Sequence, residues 1–72
     1  MSDAYVVRDP QGRVIGISVT SYRSALEDVF NHPDPAIRYG KSIPSATLMY
    51  VFDSEGSANV NGYTLTREPV DL

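Results

Sequence analysis

The chain has 72 residues, no cysteine and no tryptophan, and its six Lys/Arg against nine Asp/Glu leave a net charge of -3. That length allows one domain at most, and the missing cysteines exclude disulfides and thiolate metal sites. The acidic balance leaves no basic field of the kind that displaces counterions from nucleic acid, so direct DNA or RNA binding is not expected.

A quarter of the residues are Leu, Ile, Val or Phe, above the fraction of roughly 20% below which chains stay disordered. No apolar run approaches the ~18 residues of a membrane span, and Met1–Tyr5 lacks the basic and apolar regions of a signal peptide. A folded cytoplasmic domain over 1–72, with no membrane segment, is the expectation. The acidic excess lies at the end of the sequence: Asp53, Glu55, Glu68 and Asp71 stand against Arg67 alone, while residues 1–52 balance.

The first expected element is a β-hairpin over 3–19. Ala4–Arg8 and Val14–Val19 flank Asp9-Pro10-Gln11-Gly12, in which Asp and Pro suit a type I turn and Gly suits the left-handed position of a bulged hairpin. Pairing Asp9 with Arg13 would set Val7 against Ile15 and Tyr5 against Ile17, placing all four with Val19 on one face.

A helix follows over 21–31, capped by Thr20 or Ser21 or by the Ser24/Glu27 box. Tyr22, Ala25, Leu26, Val29 and Phe30 form its apolar stripe, and Pro33 ends it. Residues 32–45 read as a connector, with Asp34 capping a single turn that Pro35 opens and Gly40 closes.

A second hairpin is expected over 46–67. Thr47–Phe52 is apolar throughout and rich in β-formers, and Asp53-Ser54-Glu55-Gly56 repeats the Asp-x-x-Gly pattern of the first turn. Asn61-Gly62 reads either as a bulge in one long strand or as a two-residue hairpin turn. The shortness of Ser57–Val60 favours the bulge. Residues 68–72 read as a tail. The fold class is α+β: a small ββαββ domain, a four-stranded antiparallel sheet with one helix packed on one face.

No residue pattern supports catalysis, and no cofactor or metal is expected. His32, at a helix end, fits the negative end of the dipole better than a catalytic base or a ligand set. Gly40-Lys41-Ser42 resembles the end of a phosphate-binding loop but lacks its first glycine, since Pro35 stands there. The serines lack a Gly-x-Ser-x-Gly setting.

Partner-binding residues are expected in two places. Arg38, Tyr39 and Lys41 make a basic-aromatic loop, and Tyr and Arg are enriched where surfaces meet. Met49, Val51 and Tyr63 fall on the sheet face that one helix of about 16 Å leaves uncovered, with Val6 and Val14, and contiguous exposed apolar area marks association.

The expected function is therefore a small non-catalytic protein-binding module that modulates or inhibits a larger protein partner. In size, acidity and β-rich simplicity the chain resembles small phage or mobile-element accessory proteins, including inhibitors of host defence or transcription. The likeness is of outline, and no motif carries it. The alternative is a self-associating structural subunit, a homodimer about a two-fold axis. A lesser alternative, an acidic nucleic-acid mimic, rests on the C-terminal acids.

Overall fold

A computed structural model describes residues 2–38 and 43–70. In chain order the elements are β1 (Ser2–Arg8), β2 (Val14–Ser18), α1 (Tyr22–Phe30), α2 (Pro35–Arg38), α3 (Ser45–Glu55), β3 (Ala58–Val60) and β4 (Tyr63–Val70). The strands form one antiparallel sheet in the order β2-β1-β4-β3. The architecture is thus the expected α+β one, a four-stranded antiparallel sheet with helices on one face, but its strands and helices are differently drawn.

The largest correction is residues 46–52. They form most of helix α3, not a strand, and the layer over the sheet holds three helices where one was expected. A continuous apolar run has no period that separates a buried strand from a buried helix, and length decides. Eleven residues between Pro44 and Gly56 are too many for such a strand. Gly56, at φ 79°, is the left-handed residue that closes α3, its N–H bonding the Phe52 carbonyl at 2.8 Å. Asp53–Gly56 is therefore a helix end rather than a β-turn.

The fourth strand comes instead from the split at Asn61-Gly62. Both residues have positive φ, 53° and 86°, as a two-residue hairpin turn requires. The short Ala58–Val60 is a strand of its own, and the bulge reading of these two residues is overturned. β4 then runs to Val70 and pairs with β1 from Thr64 onward, so residues 68–70 of the expected tail belong to the sheet.

The first turn forms as its residues imply. Gly12 sits at φ 86°, its N–H bonds the Asp9 carbonyl at 2.9 Å, and the Asp9 N–H bonds the Arg13 carbonyl at 3.0 Å. Beyond the turn the register differs: Val7 faces Gly16, Val6 faces Ile17 and Tyr5 faces Ser18, with a bulge between Val7 and Arg8. The bulge absorbs Ile15 as an extra residue. Ile15 remains in the core at 3% exposure, while Ile17 turns to the opposite face.

The core lies between sheet and helices. Val7, Ile15 and Leu65 meet Ala25, Leu26 and Val29 of α1 and Leu48 of α3. Helix α1 begins at Ser21, whose hydroxyl accepts the Ser24 N–H at 3.1 Å. Asp34 caps α2 by accepting the Ala36 N–H at 2.9 Å; Gly40, expected to close that turn, lies outside the described residues. At one end of the layer Tyr5, Tyr22 and Phe52 pack with ring centroids 5.1–6.3 Å apart. The Tyr22 hydroxyl donates to Asp53 at 2.6 Å. These contacts tie the start of α1 to the end of α3.

Asp9 anchors the first turn and is a source of acid sensitivity. Its carboxylate accepts the Gln11 N–H at 3.0 Å, the Arg13 N–H at 2.9 Å and Arg13 Nε at 2.8 Å. Burial pushes this carboxyl upward, but the Arg13 and Gln11 donors outweigh it and hold the carboxyl below its ordinary value. Glu68 is also held low, by the Arg8 guanidinium first and then by the Thr66 hydroxyl.

A carboxyl lowered in the folded state stabilises the fold above its unfolded pKa of about 4 and loses that contribution as pH falls through the folded value. The melting temperature should therefore drop as pH is taken below about 4. Replacing Asp9 with alanine should cost about 1–3 kcal/mol at neutral pH, because the hydrogen bonds from the Gln11 and Arg13 amides to a charged carboxylate are lost. It should also flatten part of the acid slope, and thermal melts of both proteins across pH 2–7, roughly the carboxylate range and above, check this.

Candidate functional site

Two surfaces of unlike chemistry face away from each other. Register fixes which side chains lie on the open face of the sheet. Ala4 opposes Glu68, Val6 opposes Thr66 and Ile17, and Arg8 opposes Thr64 and Val14. Asn59 completes this set on β3. Ala4 and Val6 are closed off at 0% and 2% exposure, while Val14 and Ile17 stay open at 45% and 42%. Across the middle runs a polar network: Arg8 reaches Glu68 at 3.1 and 3.3 Å and the Gly12 carbonyl at 3.0 Å, and Thr66 donates to Glu68 at 2.8 Å.

The helical layer is different. Within it Arg23 and Arg38 stand against Glu27, Asp28, Asp34, Asp53 and Glu55, a net of -3. The sheet and its first turn balance, Arg8, Arg13 and Arg67 against Asp3, Asp9 and Glu68. Each of these sheet charges has a partner: Arg8 with Glu68, Arg13 with Asp9, and Arg67 with Asp3 at 3.5 Å. Among the described residues the whole net charge therefore belongs to the helices. Linear order concealed this, because Arg67 and Glu68 of the acidic C-terminal stretch pair with β1, whereas Asp53 and Glu55 end a helix.

Several of the helical acids stand where helix stability favours bases. Glu27 and Asp28 are in the last turn of α1 and Asp53 and Glu55 in that of α3, and neither turn holds a basic residue. A like charge at the negative end of a helix costs about 0.3–1 kcal/mol. Asp28 has a compensating bond, accepting the Ile17 N–H of β2 at 3.1 Å, and Asp53 has Tyr22. Glu27 and Glu55 have no such bond among the described residues.

This layer also exposes two aromatic rings, Phe30 at 44% and Tyr50 at 73%. At 100° per residue Tyr50 points opposite the buried side of α3, set by Leu48 and Phe52. Read as a strand, the same residue belonged to the core with Leu48 and Phe52. Its exposure was legible only once 3.6 replaced 2 as the period.

The residues expected to bind a partner are dispersed. Met49 and Val51 are on α3, half-buried against the core, and not on the open sheet face. Two positions apart on a helix they point about 200° apart. Tyr63 opens β4 on the core side, half-buried. Val6 and Val14 do lie on the open face. Arg38 closes α2 and donates to the His32 carbonyl at 3.3 Å. Tyr39 and Lys41 lie outside the described residues. The His32 ring accepts the Asp34 N–H at Nδ1, 3.0 Å away, and so closes a turn.

A cleft of about 420 Å³ lies at one end of the sheet, lined among others by Asp9, Pro10, Arg13, Ile37, Ile43 and Tyr63. Asp9 and Arg13 are already engaged with each other there. Among the described residues no three His, Asp or Glu side chains are grouped to hold a metal ion, and no helix is long and apolar enough to cross a membrane. Compared with protein-family models, with curated proteins and with solved structures, the chain has no match.

Proposed function

We propose that this chain is a small non-catalytic protein-binding module that modulates or inhibits a larger protein partner, in the manner of the phage or mobile-element accessory proteins it resembles in outline. The helical layer is the surface that meets the partner. The observation that carries this reading is the 73% exposure of Tyr50 at the outer pole of α3, within the layer that holds the entire net charge of the described residues. Tyrosine offers a large, rigid contact at low entropic cost and is enriched among residues that dominate binding.

The chemistry of the layer describes the partner. A net charge of -3 beside two exposed rings suits a basic surface with an apolar recess for Tyr50. Complementary charge speeds encounter and excludes wrong partners more than it adds affinity. The acids at the helix ends support the same reading, since local stability disfavours them there.

The test is affinity capture from the native cytoplasm, identification by mass spectrometry, and measurement of binding with the purified partner. Tyr50→Ala should weaken binding by about 30-fold or more, the scale of a residue worth ~2 kcal/mol, with the fold intact. Rising salt should slow association and leave dissociation nearly unchanged. Equal binding by the Tyr50→Ala protein would overturn the assignment of this surface.

A further inference from the structure

We propose that the open face of the sheet is a docking site for a second copy of this chain, so that the module is a two-fold dimer with both acidic helical layers outward. This goes beyond the partner-binding reading and stands on a different surface. Four observations converge on it.

The first is charge. The helical layer, at -3, repels its own copy, whereas the open face is neutral. The second is symmetry. A two-fold interface must be complementary to itself, and this face carries one charge of each sign, Arg8 and Glu68. Apposed about a two-fold axis, Arg8 of one copy approaches Glu68 of the other. The pair already holds hydrogen bonds to Thr66 and Gly12, so it enters the interface satisfied, the condition under which a charge pair is tolerated there.

The third observation is that the sheet edges are guarded. On the β2 edge Asp28 occupies the Ile17 N–H and the bulge at Ile15 breaks the ladder. The β3 edge has three residues, and beyond it the open edge of β4, residues 66–70, carries Pro69. Blocked, bulged and very short edges resist strand addition, which leaves the face as the route for a like molecule.

The fourth is area. The four strands hold 7, 5, 3 and 8 residues, and at ~3.3 Å per residue and ~4.8 Å between strands they project roughly 360 Å². That fits within the 31 × 26 Å outline of the molecule. A corrugated surface has more accessible area than its projection, yet the face stays below the ~800 Å² per partner of a standard stable interface and in the range of weak, transient ones. Val14 and Ile17, 45% and 42% exposed, are the apolar side chains it would cover. An interface of this size fits a weak, concentration-dependent dimer.

Sedimentation equilibrium from micromolar to millimolar concentration tests the proposal. The wild-type chain should pass from monomer to dimer. Ile17→Lys should raise the dissociation constant at least about tenfold, the effect of ~1.4 kcal/mol. Val14→Lys, at a position outside the core, is the second probe should Ile17→Lys perturb folding. Tyr50→Lys, on the opposite surface, should leave the dimer unchanged. A monomer throughout the range overturns the proposal, and so does a dimer that both sheet-face variants leave intact.

Discussion

Replacing Gly16 with alanine is expected to cost about 3 kcal/mol or more, at the upper end of overpacking penalties. A Cβ at this position would stand 2.3 Å from the Ala25 carbonyl oxygen and 2.6 Å from Val29 Cγ2. The first of these is backbone in the middle of α1, so no rotamer change relieves the clash and the helix itself must lift from β2. Ala25, Leu26 and Val29, all at 3% exposure or less, would lose their packing with it. A domain of this size has roughly 4–11 kcal/mol of total stability, so the loss is a large part of the whole. Urea unfolding should show a midpoint lowered by about a third or more. A midpoint within error of wild type would mean that α1 does not lie against β2 at Gly16.

The second large effect separates a helix from a strand at residues 46–52. Leu48→Ala should cost about 2–5 kcal/mol, as for a fully buried leucine, because Leu48 has 0% exposure. Tyr50→Ala should change stability by no more than ~0.5 kcal/mol, as expected of an exposed site. On a strand the two side chains would share one face and both substitutions would be costly. On α3 they lie about 200° apart. Denaturant titration of the two variants therefore reports the local structure directly, and equal losses would contradict α3.

These two sites also show how far the fold could be read in advance. Elements with a period or a specific cap were legible: the Asp9–Gly12 turn, the Ser21 cap and the stripe from Tyr22 to Val29 rest on local chemistry that tertiary structure did not override, whereas Phe30, expected on that stripe, is exposed. Thr47–Phe52 was not legible by pattern, because five apolar residues in a row after a β-branched threonine suit either structure. Asp53-Ser54-Glu55-Gly56 compounded the ambiguity, since a left-handed glycine closes both a bulged hairpin and a helix. The decisive signal was the spacing from Pro44 to Gly56, which is a helix length.

Parity failed in the first hairpin for a related reason. A bulge of one residue moves every later side chain to the other face, and Gly16 was its only local sign. Glycine inside a strand marks a bulge or a close backbone approach, and here it marks both. The candidate surface inherited these errors. Met49 and Val51 do not occupy the sheet face that a strand would give them, and the alternation of a strand would put Tyr50 in a core it does not enter. The division of charge between layers depends on Arg8–Glu68 and Arg67–Asp3, pairs more than fifty residues apart in sequence that only the β1–β4 pairing brings together.

The most direct test of the partner-binding account is cross-saturation NMR on this chain in complex with its captured partner. The strongest transfer is expected at the Tyr50 and Phe30 rings and along the outer surfaces of α1 and α3. Transfer confined to the Asp9–Arg13 turn or to Ile17, Thr64 and Thr66, with none at Tyr50, would contradict it.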